Sequence, residues 1–527
     1  MSTAPITINP YDEMPFPSQP LPQSHPDRLA AVARLFGMQP APVDGCRVLE
    51  LGCATGGNLI PMADRLPGSQ FVGVDNSRAQ LQIAERTASL LQLKNLEFKY
   101  ADIAELGNSL GQFDYIICHG VFSWVSDELQ DKILELIRES LAPQGVAYIS
   151  YNTHPGWYLR LVIREMLCSY APLETTATAR MAKGKSLLQF FERAAERESH
   201  TFAKMLKTDC EQLSKQPDGY IYHEYFESDN RPQFFHEFVS HAQKFALQYL
   251  GESVVATMFT TSFGAEVENH LQGLAFDLIA GEQHLDIIRN RSFRQSLICH
   301  WGVPLVRHLT AERLEGLRFL GRVVPVNPIA DLTSRNPEGF QASNGLSFTT
   351  AAPILKAAMK ALHDRWPKNY SFDELYDAAI KILGVTENPS VLSPHARGGL
   401  GQNLVQCLAN GMIEINSLPD SFTTTISDRP LASPLARYDA QLGSQVTNRR
   451  HELVELDEVT RVVLSYLDGH HDRESLVREL MEAAQRGDVS ILIGGIPTTR
   501  AEDMLPILRA KLVQSLNTLV TNALLIA

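Results

Sequence analysis

From Cys46 onward the chain alternates short apolar runs with longer stretches of helical period, and nothing else in it limits the possible folds so strongly. CRVLELG, FVGVD, LEFKYAD, FDYIICHG and GVAYISYN read as strands, while Asn58 to Leu66, Arg78 to Leu93 and Asp127 to Leu141 read as helices between them. Apolar strands separated by helices long enough to cross back build a parallel sheet with right-handed crossovers and helices on both faces. The expected fold class is therefore α/β, with a doubly wound, parallel, Rossmann-like sheet over 46–157. Ahead of it, Pro5, Pro10, Pro15, Pro17, Pro20, Pro22 and Pro26 forbid regular helix and leave an extended segment that must lie on something. Residues 1–45 thus read as a cover that ends in a helix from Pro26.

Beyond Trp157 the strands stop, and 158–225 reads as a helical insertion. Strand signals resume at ALQYLGES and RQSLICHW, with Pro232 to Phe245 as a crossover helix, so 226–310 completes the core. Residues 321–346, rich in Pro, Asn, Gly and Ser, read as linker or irregular structure, with a boundary near 310–335. Helices at 351–364, 372–384 and 400–411, the last running into MIEINSL, give 335–418 a winged-helix-like pattern. After a Pro-rich joint, 430–527 reads as a helical domain, with Leu453, Leu456, Val459, Val462 and Val463 as the stripe of one amphipathic helix.

A net charge of −13 gives the chain no global reason to hold a phosphate backbone. The presumed recognition helix near Gln402 to Ala409 carries no Lys/Arg cluster, so nucleic acid is excluded as a partner. The 7 cysteines form no C-x-x-C pair and no cluster at zinc spacing, so neither a disulfide framework nor a metal site is expected. No run reaches the roughly 18 apolar residues of a membrane helix and no signal peptide is visible, which predicts a cytoplasmic protein without membrane insertion.

The densest chemistry lies in VLELGCATGG, Val48 to Gly57. An apolar strand carrying Glu50 passes through Gly52, Cys53, Ala54, Gly56 and Gly57 into a helix opened by Asn58. Glycines there turn the chain sharply and let its backbone approach a ligand. The next strand ends at Asp75, 75 − 52 = 23 positions beyond Gly52 and followed by Asn76. A carboxylate at that place accepts both hydroxyls of a ribose, so a nucleoside-containing cofactor follows. Gly52, Ala54 and Gly57 also satisfy a loose G-x-A-x-x-G dinucleotide fingerprint, and the loop alone leaves the cofactor open. Glu50, able to serve an ammonium group, and Asp102, which ends the third strand ahead of Ile103 and can accept from an adenine amino group, tilt the choice. Acid, glycine loop, acid and acid at four successive places resembles the class I S-adenosylmethionine-dependent methyltransferases, and S-adenosyl-L-methionine is the expected cofactor.

The fourth strand ends FDYIICHGVFSW, with Cys118, His119, Phe122 and Trp124 at the rim where a methyl group would emerge. An aromatic wall suits a sulfonium, whose charge is attracted to ring faces. His119 reads as a cofactor contact, with a general base or a satisfied half-buried imidazole as the alternatives, and Phe122 and Trp124 read as substrate walls, although either ring could equally pack the sheet against the next helix. The fifth strand ends SYNTHPGW, presenting Tyr151, Asn152 and Trp157, and YIYHEYFESDNRP offers Tyr222, His223, Glu224 and Tyr225 where the insertion returns to the core. Tyr151, His223 and Glu224 are the candidate proton acceptors. Asn152, Trp157, Tyr222 and Tyr225 are further candidate substrate contacts, with a hydrogen-bonded structural corner as the alternative for the last group.

Several blocks together resemble bacterial methyltransferases that carry a methyltransferase regulatory domain: YDEMPFPSQPLPQSHPDRL, RVLELGCATGGNLIPMA, FDYIICHGVFSWV with SYNTHPGW, and YHEYFESDNRPQFFHEFVSHA with RNRSFRQSLICH. PLARYDAQLGSQVTNRRHELVELDEVTRVVLSYLDG resembles the winged-helix region of bacterial protein lysine methyltransferases that modify outer-membrane proteins. The resemblance implies methyl transfer to lysine amines of a protein substrate, an outer-membrane protein before export being one such partner, and it allows a homodimer. One departure is Phe16, between Pro15 and Pro17, where such proteins often read Pro-Tyr-x-Ser; a tyrosine hydroxyl is lost there while stacking on the cofactor survives. Two other readings stay open: a small-molecule methyltransferase, and a cofactor-binding regulator without turnover.

Overall fold

The computed structural model describes residues 10–107, 110–171, 176–227, 229–259, 266–267, 273, 277–384, 395–493, 496–498 and 500–527. Of the seven N-terminal prolines, Pro5 lies outside the described residues, and helix is not forbidden throughout the rest: Pro10 opens a single turn, Pro10–Glu13, as proline at a first helical position can. One sheet contains β1 (Arg47–Leu51), β2 (Gln70–Asp75), β3 (Leu96–Tyr100), β4 (Phe113–Cys118), β5 (Leu141–Asn152), β6 (Leu247–Glu252) and β7 (Phe293–His300) in the order β3-β2-β1-β4-β5-β7-β6. β1 to β5 run parallel, and β7 is antiparallel to both β5 and β6. Side chains alternate across β1: Val48 joins helices Pro26–Leu35 and Leu59–Arg65 in one core, and Leu49 and Leu51 join helices Asp127–Ser140 and Phe235–Lys244 in the other. Both faces are covered, as parallel sheets require. The chain runs outward from β1 to β2 and β3, then returns to lay β4 on the other side of β1. A crevice at such a switch point, beyond the carboxyl ends of the strands, is where open α/β sheets bind ligands.

Between β5 and β6 stand helices Trp157–Tyr170, Ala177–Ala195, Thr201–Ser214 and Asp218–Tyr225, packed around Ile163, Leu167, Met181, Leu188, Cys210 and Ile221. On β7, Arg294 is fully buried and donates to Glu252 Oε1 at 2.6 Å, Asp286 Oδ2 at 2.8 Å and Glu282 Oε2 at 3.1 Å. Three carboxylates share this cation and the nearby Arg291, and burial pushes Glu282 up to about 7. Arg294→Met leaves buried acids without their principal cation, which costs about 3–5 kcal/mol. Urea denaturation of the variant would show the midpoint falling accordingly, and an unmoved midpoint would mean that protons already neutralise the cluster.

Residues 321–346 are irregular only in part: 326–337 carry no helix or strand, but the residues around them are ordered into strands. Val323–Pro325, Glu338–Ala342 and Ser347–Thr350 form an antiparallel sheet, with Val323 and Phe340 buried and Asn344–Gly345 making the hairpin turn at a Gly345 φ of 84°. That Asn-Gly pair between apolar residues is a hairpin signal outweighed by the polar composition around it. Arg318–Leu320 already pairs with Tyr370–Ser371 and Glu414–Asn416, next to helices Pro353–Arg365, Phe372–Ile382 and Ala396–Ala409. Leu453 to Val463 do not form one helical stripe. Leu453 lies in a strand, Leu453–Glu455, and the helix begins only at Glu458, where the Asp457 carboxylate caps it by accepting from Thr460 N at 3.0 Å. Helices Pro434–Leu442, Arg473–Arg486 and Ala501–Thr521 complete the last unit with two short antiparallel ladders. Among the described residues no helix is long and apolar enough to cross a membrane.

Candidate active site

A cavity of about 510 Å³ opens beyond the carboxyl ends of β1, β2, β3 and β4. The glycine loop forms its floor. Gly52 and Cys53 donate their N–H groups to Val74 O at 2.8 and 3.1 Å, which ties the loop to β2. Gly52 has a φ of +75°, and a Cβ there would stand 2.5 Å from Val121 Cγ2, so only glycine fits. Asp75 closes β2 with both oxygens engaged: Oδ2 accepts from Ala54 N and Oδ1 from Ser77 N, each at 2.8 Å. Burial raises its carboxyl, and these N–H groups draw it back. Asp75 and Asn76 line the cavity, with Asp102 and Ile103 from the end of β3. His119 lines it too, its Nδ1 2.9 Å from Tyr148 OH; burial holds the imidazole down to about 4, neutral at physiological pH.

The N-terminal segment closes the site from above. In an extended chain successive residues face opposite ways, and here Met14, Phe16, Ser18 and Pro20 turn inward while Pro15, Pro17 and Gln19 face out. Tyr11 and Phe16 line the cavity. Ser77 Oγ donates to Asp12 Oδ1 at 2.5 Å, Ala177 N to Glu13 Oε1 at 2.8 Å, and Gly57 N to Ser18 Oγ at 2.9 Å. His223 holds the strap from the side: Nε2 donates to Met14 O at 2.6 Å, Nδ1 lies 2.7 Å from Glu227 Oε1, and Tyr11 stacks on the ring at 4.1 Å. With both nitrogens engaged, His223 is an anchor with no free lone pair for a substrate proton.

Helix Asp218–Tyr225 sorts its residues by helical period. Tyr220, His223 and Glu224 face the cavity, while Ile221, Tyr222 and Tyr225 pack the insertion's core. Burial lifts the Glu224 carboxyl to about 7 against the opposing pull of Arg160, which shares the lining. Trp124 and Asn152 complete the candidates at the cavity wall.

Nine expected site residues do not line the cavity. Tyr151 is fully buried because β5 alternation sends it to the opposite sheet face, stacked on Phe238 at 4.2 Å with its hydroxyl 3.2 Å from Ser296 Oγ. Tyr151→Phe is thus expected to leave methyl transfer within about twofold of the parent, as the loss of one hydrogen bond remote from the reaction should; a kcat assay that found a collapse would restore it as a catalytic group. Phe122 packs on Phe238 at 5.7 Å in the same core. Trp157 backs Trp124 edge-on at 5.9 Å without lining the cavity, and Tyr225 stacks behind it at 6.3 Å. Tyr222 accepts from Arg180 Nη1 at 3.4 Å, on the insertion side. Cys53 lies under the loop against Gly73, Gly56 packs on Phe98, and Asn58 and Glu50 form a buried pair beneath the floor. Burial pushes the Cys118 thiol up to about 12 and Cys53 upward as well, so neither offers a thiolate. Tyr11, Gln80, Arg160, Tyr220 and Phe293 also line the cavity and are not among the expected site residues.

The residues present fit the expected cofactor. Glu50 is only 3% exposed, yet its Oε2 has no hydrogen-bond partner, a vacancy in pairing that an ammonium group would satisfy. Burial raises this carboxyl to about 7, and Asn58's hydrogen bond works against the rise. Among the described residues no group of three His, Cys, Asp or Glu side chains is arranged around a metal.

A glycine loop at the switch point, with acids closing three neighbouring strands, defines an S-adenosylmethionine-dependent methyltransferase. Comparison with known proteins agrees: the chain matches a methyltransferase domain over 42–228, a "predicted methyltransferase regulatory domain" over 217–300 and a "PKMT, C-terminal winged helix domain" over 428–524. An uncharacterized protein of Rickettsia prowazekii is 31% identical over 525 residues, 98% of this chain and 94% of that one. A second from the same organism is 40% identical over 44% of this chain and 94% of its own. The structure of PKMT2 from Rickettsia typhi, also solved in complex with AdoHcy, covers 97% of this chain and 100% of its own with a TM-score of 0.86 at 28% identity. The chain belongs to this family of methyltransferases, which joins a regulatory domain and a PKMT-type winged helix to the catalytic sheet.

Proposed function

We propose that the enzyme methylates lysine side-chain amines of protein substrates. Glu224 carries the reading: it is an acid held near neutrality at the wall of an aromatic cavity, where an ammonium acceptor would have to shed a proton. The likeness to PKMT2 supports the same acceptor. Asp75 would hold the ribose, Asp102 and Ile103 the adenine, Gly52 and Ala54 the backbone side of the nucleoside, and Glu50 the ammonium end. His119, Tyr11 and Phe16 would wall the cofactor. When bound, S-adenosylmethionine supplies a methyl carbon already activated by its sulfonium.

The chain's own work is to align, desolvate and deprotonate the acceptor. A lysine begins near 10.4, and burial between Trp124, Tyr220 and Phe293 lowers that value. Glu224, ionised above about 7, takes the proton or directs it to solvent, while Arg160 stabilises the carboxylate. Asn152 would orient the acceptor from the opposite wall.

In this reading 1–45 covers the cofactor, 46–157 with 226–310 forms the core, 158–225 flanks the substrate, and 335–418 and 430–527 contact protein. A cytoplasmic enzyme that reaches an outer-membrane protein before export, acting as a homodimer, agrees with the family resemblance. The acceptor is tested with synthetic peptides carrying one lysine, or arginine, histidine or glutamine in its place, and methyl-labelled cofactor. Label on the lysine peptide alone supports the proposal; label spread equally over all four would end it.

A further inference from the structure

The most deeply buried acid of the cofactor site is held from the far end of the chain. Asn58 opens the helix after the glycine loop, and its amide is saturated. Nδ2 donates to Glu50 Oε1 at 2.7 Å and to Ser24 Oγ at 3.0 Å; Oδ1 accepts from Leu21 N at 3.0 Å and from His451 Nε2 at 2.7 Å. A backbone N–H can only donate, so Leu21 places the amide oxygen, and the NH₂ group must then face Glu50. His451 supplies the second donor that keeps the amide this way round. Burial, with His25 and Arg65 nearby, holds its imidazole well below the usual histidine range, so the neutral ring carries its proton on Nε2.

His451 is placed rigidly. Its φ of +64° is left-handed, in a turn where His451 N donates to Asn448 O at 3.1 Å and Asn448 N to Glu452 O at 3.0 Å. Beside it, Arg449 pairs with Asp64 at 2.6 Å, both nearly buried, which seats the turn on helix Leu59–Arg65. The C-terminal domain therefore reaches the underside of the cofactor loop through one imidazole.

We infer that His451 is a positioning residue of the methyltransferase site: through Asn58 it orients the Glu50 carboxylate toward the cofactor's ammonium group, and the winged-helix domain thereby sets cofactor affinity. The inference rests on the reading of Glu50 as the ammonium's partner. Without His451 the amide oxygen keeps only the Leu21 N–H, and the side chain that holds the Glu50 carboxylate is less firmly fixed.

The test uses the full chain with His451→Ala, His451→Gln and Glu50→Gln, and isothermal titration with two ligands. S-adenosylhomocysteine carries the ammonium; 5′-methylthioadenosine has the same nucleoside without the amino-acid part. His451→Ala should lose about tenfold in S-adenosylhomocysteine affinity, one hydrogen bond's worth, and none for methylthioadenosine. KM for S-adenosylmethionine should rise similarly with kcat at saturation retained, and glutamine, whose Nε2 also donates, should restore binding. Equal weakening for both ligands, or no weakening while Glu50→Gln binds S-adenosylhomocysteine poorly, overturns the inference. Parent-like binding by Glu50→Gln instead removes the Glu50 reading beneath it.

Discussion

Asp75→Ala is expected to lose about 100-fold or more in affinity for S-adenosylhomocysteine, measured by titration calorimetry on protein shown by circular dichroism to be folded. The carboxylate accepts the Ala54 and Ser77 N–H groups while it lines the cavity, where a ribose would add two more hydrogen bonds. Two hydrogen bonds to a charged acceptor are worth about 1.5–3 kcal/mol apiece, and each 1.4 kcal/mol is about tenfold. Asp75→Asn separates the two duties of the side chain. One amide oxygen can serve the backbone or the ligand, and its binding should fall between that of the parent and Asp75→Ala. If Asp75→Ala binds within about threefold of the parent, Asp75 merely shapes the loop.

Glu224→Gln is expected to cut kcat by about 10²–10⁴ with little change in S-adenosylhomocysteine binding, the range general-base removal usually gives. For the parent, the base is the carboxylate, so the rate climbs as pH rises through about 7 and levels above it. The variant should show no such limb. Stability supplies an independent reading with a definite sign. Because the folded carboxyl titrates above its unfolded value, ionising it is disfavoured in the folded state, and the stability present at acidic pH is lost as pH rises through about 7. Glutamine escapes that loss, so its melting temperature should exceed the parent's at pH 8 and approach it at pH 4. A variant with parent kcat and an intact limb would return Glu224 to a structural role.

The inner strands of the parallel sheet were legible because they are buried on both faces, which writes them as apolar runs such as FVGV and YIIC. The loop was legible because a positive φ at Gly52 admits almost no other residue. Where reading by motif failed, the cause was direction. The strand ending SYN announces its place at the mouth, but whether Tyr151 or Asn152 faces inward depends on a register of one residue. Likewise YIYHEY contains two helical faces, and only the tertiary position of helix Asp218–Tyr225 selects Tyr220 and Glu224 over Tyr222 and Tyr225. Arg160 lies outside every motif and Tyr11 only opens the N-terminal block, since an inserted helix and the N-terminal strap contribute them singly. The contact from His451 to Asn58 spans 393 positions and left no local trace.

Methyl transfer to lysine in proteins is put to the test by letting the enzyme choose its own acceptor. Purified protein would be incubated with methyl-labelled S-adenosylmethionine and a cell lysate, with Asp75→Ala as the blank, and the label located by mass spectrometry. Label is expected on lysine Nζ atoms of particular proteins, absent from the blank. Label confined to the small-molecule fraction would contradict it.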